Sequence, residues 1–388
     1  MIIEILRFIR ESKIGIRRKY IEMLDTDRLD VAIIGAGVIG LSVAWKIAEK
    51  TKKSVVVIER NKTFGQEISS RNSGVIHSGI YYDAQMLKSR LCVEGNRLLY
   101  EFCQQRGITY NRCGKIVVSV DQDGDEKLDS LYQSAIKNGV SVSRMSGIKA
   151  MNLEPEIFAR EALYLPNSGI VDSHELMQAI YYEANRENVI FVFDSCLNDI
   201  EYNGVYYQLK TQKEAINAET VINCAGLGSE YVAGLLDLDT KKRGYQLHTC
   251  KGEYFRINQK LSIRHLIYPV PTNNSLGIHL CIDNGGAKRL GPNAYYIDKL
   301  DYNVDDSHLD EFYLAARQYI PSLQREKLTP DFAGIRPKLQ GPGEPNKDFV
   351  INEETQAGYP RWINLIGIES PGLTSCLAIG EYVKNMIE

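Results

Sequence analysis

The chain has 388 residues, of which 44% are hydrophobic and 24% are charged, and its formal net charge is −3. These values are typical of a folded globular protein, and the length is sufficient for two domains. The near balance of 46 basic and 49 acidic residues excludes a strongly basic protein, so we expect no nucleic-acid partner. No run of about 18 apolar residues is present, which excludes a conventional membrane span.

The first 29 residues differ from the rest of the chain and are interpreted as a basic amphipathic extension. Six Lys or Arg residues lie between positions 7 and 19, and apolar residues repeat at helical spacing at Ile2, Ile5, Leu6 and Ile9. This pattern predicts peripheral contact with an anionic membrane surface through residues 2–21. The alternative is a passive extension ahead of the first strand.

A dinucleotide-binding unit follows between residues 30 and 59. Asp30–Ile34 is a short apolar run that predicts a buried parallel strand, and the glycine motif Gly35-Ala-Gly37-Val-Ile-Gly40 comes directly after it. In this motif the first glycine permits a tight turn, the second lets the backbone approach a pyrophosphate, and the third lets the helix pack on the strand. Glu59 ends the next predicted strand, where a carboxylate accepts hydrogen bonds from ribose hydroxyls.

The rest of the chain alternates between helical and strand-like patterns. Helices are predicted over residues 87–106, 126–138, 172–188 and 309–319 and from 373 onward, and strands over 114–120, 189–193, 199–211 (a hairpin), 219–224 and 362–366. Residues 252–290 resemble an antiparallel sheet. The predicted fold class is α/β (α+β), in which a Rossmann-like nucleotide-binding domain is assembled from separated segments and a mostly antiparallel β substrate domain is inserted.

Three further segments indicate which nucleotide binds. Residues 69–79 are rich in small and hydrogen-bonding side chains, residues 219–226 form a strand that ends in a small-residue turn, and residues 367–375 place a helix N-terminus beside a glycine turn. Such a helix end stabilises negative charge on a reduced flavin. A second GxGxxG motif is absent from the sequence, so we expect the hydride to come directly from an organic substrate and not from a nicotinamide coenzyme.

The eight cysteines are far apart in the sequence. They form no CxxC pair and no Cys/His cluster at metal-binding spacing, so we predict buried reduced thiols and no metal site. Reduced thiols favour a reducing compartment. We therefore expect a cytoplasmic protein, which docks at the inner face of a membrane if the extension is functional, or a mitochondrial protein if the source is eukaryotic.

Several longer strings carry a resemblance to a known family. They are Asn72-Ser-Gly-Val-Ile-His-Ser-Gly-Ile-Tyr-Tyr82, Leu91-Cys-Val93, Cys113-Gly-Lys115, Ser168-Gly-Ile-Val-Asp172, Tyr268-Pro-Val-Pro271, Leu290-Gly-Pro-Asn293, Ala333-Gly-Ile-Arg-Pro337 and Ser370-Pro-Gly-Leu-Thr-Ser375. With these strings the chain resembles the D-amino-acid-oxidase-like FAD oxidoreductases, and it is most similar to their L-2-hydroxyglutarate dehydrogenase/oxidase group. It departs from the pattern where many relatives have a Gly-Asp pair, because Ile368 and Glu369 follow the glycine here, and in the short span between Asn293 and Ala333.

The resemblance implies an FAD cofactor and a division into two domains. The FAD-binding domain is expected to combine residues 30–106, 167–235 and 333–388, and the substrate domain to combine residues 107–166 and 236–332. The expected FAD-binding residues are Gly35, Gly37, Val38, Ile39, Gly40, Glu59, Arg60, Ser70, Arg71, Asn72, Ser73, Gly74, Ala225, Gly226, Gly367, Gly372, Leu373 and Thr374.

Oxidation of a 2-hydroxy acid needs a cation for the carboxylate and a base for the hydroxyl proton. Arg336 is the candidate for the cation, because a guanidinium binds a carboxylate through two parallel bonds. His77 and His279 are both candidates for the base. We also expect the pocket to be lined by Tyr82, Lys251 and Tyr268.

The sequence leaves several alternatives open. The preferred function is oxidation of L-2-hydroxyglutarate, or a close 2-hydroxy acid, with oxygen or a quinone as the electron acceptor. The same arginine would also serve an amine oxidase that acts on glycine or sarcosine. A flavin-binding protein without turnover is the remote alternative, and His77 as a covalent flavin tether is a minor one.

Overall fold

The computed structural model describes residues 28–271 and 277–387. The predicted amphipathic segment at residues 2–21 therefore lies outside the described residues. Among the residues within these two ranges, no helix has both the length and the apolar character needed to cross a bilayer.

The described residues form eight α-helices and twenty strands. The helices are α1 (Val38–Lys50), α2 (Leu87–Arg106), α3 (Gln122–Lys137), α4 (Gly147–Leu153), α5 (Ser173–Arg186), α6 (Ser229–Gly234), α7 (Leu309–Arg317) and α8 (Gly372–Ile387). The strands are β1 (Leu29–Ile34), β2 (Val55–Ile58), β3 (Val75–Ile76), β4 (Tyr110–Asn111), β5 (Lys115–Val118), β6 (Ser143–Ser146), β7 (Glu161–Leu165), β8 (Gly169–Val171), β9 (Ile190–Val192), β10 (Leu197–Tyr202), β11 (Tyr207–Thr211), β12 (Ala215–Asn223), β13 (His248–Ile257), β14 (Leu266–Pro269), β15 (Leu280–Ile282), β16 (Lys288–Leu290), β17 (Tyr295–Tyr296), β18 (Leu328–Lys338), β19 (Val350–Glu354) and β20 (Tyr359–Ile366).

An eight-stranded sheet contains the predicted nucleotide-binding unit. Its central strands β20, β12, β1, β2 and β9 are neighbours in that order and run parallel. β1 and β2 are short apolar runs because both faces of a parallel sheet are covered. The N-terminal half of β12 pairs instead with β11, which continues antiparallel to β10. The predicted hairpin is therefore an extension of the same sheet.

Four helices cover one face of the parallel strands. α1 packs against α8 and α5, and α8 also packs against α2. Their apolar side chains form one core with the inner faces of β1 and β2, in which Ile33, Leu41 and Val57 are fully buried. Helix α2 ends at Gly107, which adopts the left-handed conformation (φ 66°) that a glycine accepts without strain.

A nine-stranded mixed sheet forms the second layer. Its strand order is β17, β13, β16, β15, β14, β5, β7 and β6, and the long strand β18 pairs with β13 along almost its whole length. Helix α7 packs on one face through Phe312 and Ala316, and helix α3 packs on the other through Leu128 and Ala135. A small sheet of β3, β8 and β4 lies where the chain passes between the two large sheets.

The structure confirms the predicted mixed α/β class and corrects one helix start. Sequence patterning places that start at residue 126, but helix α3 begins at Gln122 because the side chain of Asp121 accepts a hydrogen bond from Gly124 N at 2.7 Å. The capping residue Asp172 behaves as expected at the start of α5 and accepts from His174 N and Glu175 N. The assignment of residues to two domains stays a prediction.

The contact between α2 and α8 generates the first testable prediction. A Cβ atom at Gly95 would lie 2.4 Å from Thr374 O and 2.7 Å from Ser375 Cα. Gly95→Ala must therefore push the two helices apart, and we expect it to lower the free energy of unfolding by about 1–3 kcal/mol. Urea unfolding of the purified protein measures this change.

Gly234→Ala is the matched control, because Gly234 is helical and a Cβ there meets no atom within 4 Å. This substitution should be neutral or stabilising by about 0.5 kcal/mol, since alanine loses less backbone entropy than glycine. Equal stability of the two variants would contradict the predicted close packing of α2 on α8.

Candidate active site

A cavity of about 960 Å³ lies between the two large sheets. Its size falls in the range of small-molecule and cofactor pockets. One end is lined by the glycine turn after β1 and by Glu59, and the other by side chains of the nine-stranded sheet, including Tyr268, His279 and Arg336. The cavity is therefore long enough to bring the nucleotide-binding turn and the candidate reactive groups into one continuous space.

The turn between β1 and α1 is built from backbone alone. Gly35 has a φ of 101°, and a Cβ on Gly40 would lie only 1.9 Å from Gly35 O. Helix α1 starts at Val38 with Gly37 as its N-cap, and no side chain of the cap itself bonds the helix end. The positive end of the helix dipole thus points toward the cavity, as a pyrophosphate site requires.

Two polar side chains hold this turn in place. Glu59 is 7% exposed, and its carboxylate accepts hydrogen bonds from Ala36 N at 2.7 Å and Asn61 N at 2.8 Å. Ser69 Oγ accepts from Val38 N at 3.0 Å. Each carboxylate oxygen accepts more than one hydrogen bond, so Glu59 also has acceptor capacity for a ribose hydroxyl.

Most of the predicted cofactor residues line the cavity. They are Gly35, Gly37, Val38, Ile39, Glu59, Arg60, Arg71, Asn72, Ser73, Gly74, Ala225, Gly226, Gly372 and Leu373. Four others do not line it: Gly40, Ser70, Gly367 and Thr374. Ser70 donates to Gly65 O, and Thr374 Oγ1 accepts from His77 N at 3.0 Å, so these two hydroxyls support the residues that face the cavity.

His77 lies on the cavity wall between β3 and α2. Its Nε2 atom is 3.3 Å from Ser370 Oγ, and its carbonyl accepts from Asn96 Nδ2 at 2.8 Å. Burial lowers the pKa of His77 well below its usual value, and the charges of Lys115 and His279 lower it further. The imidazole is therefore neutral at pH 7 and able to accept a proton.

Arg336 projects into the cavity from β18. Its Nη2 donates to Asn293 O at 2.8 Å, and among the described residues it forms no ion pair with a carboxylate. Asn293 is itself fixed, because its side chain accepts from Glu253 N at 2.8 Å. A guanidinium held at one nitrogen and free of a counter-charge is suited to bind a carboxylate.

The aromatic wall opposite consists of Tyr268 and His279, whose rings stack with centroids 3.6 Å apart. Both line the cavity, as does Tyr82, whose hydroxyl donates to Ser370 O at 3.0 Å. Behind Tyr268 lies Lys115, which is fully buried, with its ammonium 3.8 Å from the Tyr268 ring centroid. Lys115 belongs to one of the family strings, but sequence reasoning gave it no role.

A second group missed from the sequence surrounds Glu369. Its carboxylate pairs with Lys338 at 3.2 Å and with Lys88 at 3.8 Å, and all three residues line the cavity. Lys338 follows Arg336 by two residues in β18, so period-two alternation places both side chains on one face. Once Arg336 is taken as a site residue, this spacing of two predicts that Lys338 also faces the cavity.

The structure does not bring Lys251 to the cavity. In β13 the neighbours Cys250 and Gly252 line it, whereas Lys251 projects to the opposite face. There its ammonium pairs with Asp301 at 2.9 Å and Glu253 at 3.2 Å. Lys251 therefore does not line the cavity, contrary to what we expected from the sequence.

Comparison with known proteins agrees with a flavin at this site. A family model described as FAD dependent oxidoreductase matches residues 30–386. A mitochondrial L-2-hydroxyglutarate dehydrogenase of Arabidopsis thaliana is 34% identical over 409 residues, which cover 94% of this chain and 84% of that protein. A glycerol 3-phosphate dehydrogenase of Caloramator mitchellensis is 30% identical over 367 residues, which cover 92% and 74%.

Among solved structures, the L-alpha-glycerophosphate oxidase of Mycoplasma pneumoniae with FAD bound has a similar fold. The TM-score is 0.82 with 23% sequence identity, and the match covers 93% of this chain and 95% of that chain. The glycine turn, the exposed helix end and Glu59 together fit the adenosine and pyrophosphate portion of FAD.

Glu59 provides a test of the cofactor site. Glu59→Ala removes the acceptor that orients Ala36 N and Asn61 N, and a hydrogen bond to a charged group contributes about 1.5–3 kcal/mol. We therefore expect the affinity for FAD to fall about tenfold or more. The dissociation constant is measured by flavin fluorescence during titration of the FAD-free protein.

Glu101→Ala is the control, because Glu101 is an exposed acid whose partner on helix α2 is Arg97. It should bind FAD like the unsubstituted protein. A Glu59→Ala protein that binds FAD as tightly as this control would remove Glu59 from the cofactor site.

Proposed function

The chain belongs to the family of FAD dependent oxidoreductases, and on this basis we propose that it oxidises L-2-hydroxyglutarate to 2-oxoglutarate. The observation that carries the proposal is the convergence of Arg336, His77 and Lys338 on one cavity with the nucleotide-binding turn. The 34% identity to an L-2-hydroxyglutarate dehydrogenase over most of both chains supports the choice of substrate. When bound, FAD supplies the oxidant that takes the hydride from the substrate carbon.

Arg336 binds the carboxylate next to the reacting carbon in this proposal. Its guanidinium has one bond to Asn293 O, which leaves other N–H groups for a two-point contact with the carboxylate. Since no carboxylate of the described residues pairs with Arg336, the substrate does not have to displace an internal anion. This contact fixes the orientation of the hydroxyl and of the hydrogen on the same carbon.

His77 accepts the hydroxyl proton, and His279 is the alternative base. The choice of His77 is supported by its place next to Ser370, in the segment that leads into helix α8. A neutral imidazole is the required starting state, and the lowered pKa of His77, caused first by burial, keeps it neutral at pH 7. Removal of this proton and loss of the hydride convert the alcohol into the 2-oxo acid.

Lys338 binds the second carboxylate of the substrate. It shares a face of β18 with Arg336 and lies on the cavity wall, where Glu369 holds its ammonium at 3.2 Å. The two carboxylates of 2-hydroxyglutarate are separated by three carbons, so this substrate offers one carboxylate to each of the two cations, whereas a monocarboxylate binds only one of them.

An anaerobic substrate panel tests the proposal. We expect L-2-hydroxyglutarate to bleach the oxidised flavin absorbance, whereas D-2-hydroxyglutarate, L-lactate, glycerol 3-phosphate, glycine and sarcosine bleach it much more slowly. Arg336→Met should lower the second-order rate of bleaching by a factor of about 10²–10³, because a charge-assisted two-point contact is lost. Lys338→Met should raise the apparent KM for L-2-hydroxyglutarate more than that for L-lactate.

Any other outcome of this panel would point to a different function. Bleaching by glycine or sarcosine alone would replace the hydroxy acid with an amine substrate, and bleaching by glycerol 3-phosphate alone would make the substrate a phosphate ester. No bleaching by any compound would indicate a flavin-binding protein without this activity. Glu101→Ala is the control, because this exposed side chain is remote from the cavity.

We also propose that oxygen or a quinone accepts the electrons from the reduced flavin. A separate proposal is that residues 2–21 dock the protein on an anionic membrane. Removal of residues 1–22 should leave FAD binding intact, because the first strand starts at Leu29. The truncated protein should sediment less with anionic vesicles at low salt than the full chain. Equal sedimentation of the two proteins would identify the segment as a passive extension.

A further inference from the structure

Three charged side chains meet on the cavity wall beside Arg336, and we call Lys88, Lys338 and Glu369 the lysine–glutamate cluster. The Glu369 carboxylate lies 3.2 Å from Lys338 Nζ and 3.8 Å from Lys88 Nζ. All three residues line the cavity, and none of their side chains is more than 16% exposed. The cluster has two positive charges and one negative charge, so one positive charge has no counter-charge within it.

Two further carboxylates, Asp348 and Glu344, belong to the segment after β18 but are engaged elsewhere. Asp348 accepts hydrogen bonds from Leu87 N and, at 2.9 Å, from Lys88 N at the start of helix α2. It does not line the cavity, and its charge faces the positive end of the helix dipole. Glu344 lines the cavity but pairs with Lys347 at 2.8 Å.

Lys88 lies in a mostly aromatic environment at the start of α2. Its ammonium lies 5.2 Å from the ring centroid of Tyr82 and 5.1 Å from that of Phe349. Burial lowers the pKa of Lys88, and the charge of Glu369 opposes this shift. Two ring faces and one shared carboxylate replace only part of the hydration that the ammonium loses. An anionic group of a ligand in the cavity would complete this replacement.

Glu369 is held in place by backbone hydrogen bonds. Its N–H donates to Gly367 O at 2.9 Å, and its carbonyl accepts from Gly372 N at 2.6 Å. The turn that these bonds form leads directly into helix α8. The backbone therefore fixes the point from which the carboxylate reaches the two lysines.

The cluster lies where the far end of a substrate is expected. Arg336 and Lys338 are two residues apart on one face of β18, which separates their Cα atoms by about 6–7 Å. A ligand whose carboxylate binds Arg336 therefore presents the group at the other end of a short chain to the cluster. The cluster can distinguish such end groups by their charge.

We propose that Glu369 and Lys88 are specificity-determining residues: together with Lys338 they form a subsite that accepts a singly charged carboxylate and disfavours a doubly charged phosphate. This inference rests on the proposed function for the carboxylate that binds Arg336. It deepens that function by assigning the discrimination between a dicarboxylate and a phosphate ester to the charge of the cluster.

The charge balance of the occupied subsite explains this preference. When a ligand carboxylate binds, two ammonium groups face two carboxylates. A phosphate monoester carries about −1.5 to −2 charges at pH 7, so it adds negative charge beyond this balance beside Glu369. Like charges at this range repel each other, and salt screens them weakly because the side chains have so little exposure.

The test measures binding of ligands without a 2-hydroxyl group to the FAD-loaded protein at pH 7. Glutarate has two carboxylates, butyrate lacks the second one, and the phosphate ester of 3-hydroxypropionate has a phosphate at the same position along the chain. Titration of the flavin absorbance gives each dissociation constant. The unsubstituted protein should bind glutarate about tenfold more tightly than either other ligand.

Glu369→Gln raises the charge of the cluster by one unit while keeping the size of the side chain. The affinity for the phosphate ester should rise about tenfold relative to that for glutarate, because the repelling carboxylate is gone. The ratio of the two dissociation constants is the measured quantity, since it is insensitive to changes that affect both ligands equally.

Lys88→Met lowers the charge of the cluster by one unit. Glu369 and the second carboxylate of glutarate must then share Lys338, so the affinity for glutarate should fall about tenfold toward that for butyrate. The affinity for butyrate should not change, because this ligand has no group that reaches the cluster.

The double variant Lys88→Met/Glu369→Gln returns the charge of the cluster to its original value by a different route. It should restore the preference for glutarate over the phosphate ester to that of the unsubstituted protein. A cluster that only joins α2 to β18 would not make the ligand preference follow its charge. If Glu369→Gln alone does not retain FAD, Lys88→Met and the double variant decide the question.

Lys149→Met and Glu101→Gln are the controls, because each removes one charge from an exposed side chain. Both should bind all three ligands as the unsubstituted protein does. Flavin content and thermal unfolding are compared for every variant, so that a loss of folded protein is not mistaken for a change in preference.

An unchanged ratio of the affinities for glutarate and the phosphate ester in Glu369→Gln overturns the proposal. A Lys88→Met protein that still prefers glutarate to butyrate by the original factor also overturns it. These outcomes differ from failure of the proposed function. If L-2-hydroxyglutarate does not reduce the flavin while the preferences follow the charge, the reaction is a different one and the role of the cluster stands.

Discussion

The geometry of the cavity depends on two places where a glycine lets one backbone segment touch another, at Gly40 and at Gly334. At Gly40 a Cβ would meet Gly35 O at 1.9 Å, so the turn that faces the cofactor exists only without side chains there. At Gly334 a Cβ would meet Arg71 O at 2.3 Å, which is the point where β18 of the nine-stranded sheet touches the segment after β2. Arg336 follows two residues later. Its distance from the cofactor segment is therefore set by backbone contact and not by flexible side chains.

Much of the fold could be predicted because its signals are local. The apolar strand β1, the glycine motif and the acid at Glu59 occur in a fixed order, and each part has a separate physical role. The same holds for helix α2, which ends at Gly107 as predicted. The start of α3 was missed although Asp121 is a regular N-cap residue, because the apolar period becomes clear only a turn later.

The site could be predicted less completely, because its charges depend on contacts between distant residues. His77 and Ser370 are 293 positions apart, and although both lie in segments predicted to approach the cofactor, neither segment alone indicates that the two side chains meet. The pair of Lys338 and Glu369 requires knowledge of how β18 lies beside the segment before α8. Lys251 was expected to line the pocket but does not, and because β13 is buried on both sides, burial alone does not identify the face that lines the cavity.

Two buried lysines show why residue type and burial do not determine function by themselves. Lys251 is 2% exposed and Lys115 is 0% exposed. Burial acts to lower the pKa of Lys251, but hydrogen bonds to Asp301, Tyr295 and Glu253 outweigh it and raise the pKa above its usual value. Burial lowers the pKa of Lys115 to about 8, because aromatic rings and neutral thiols replace those acids.

The ammonium of Lys251 pairs with Glu253 and Asp301. The pair with Asp301 links β13 to the segment that contains this residue. Lys115 has no hydrogen-bond partner among the described residues, and its ammonium lies 3.8 Å from the centroid of the Tyr268 ring. Inside the cavity, Arg336 donates to the backbone carbonyl of Asn293 and pairs with no carboxylate among the described residues. Lys338 differs from Arg336, because its ammonium already pairs with Glu369, which also pairs with Lys88. A substrate carboxylate therefore meets Arg336 without displacing a carboxylate of the described residues, whereas at Lys338 it competes with Glu369.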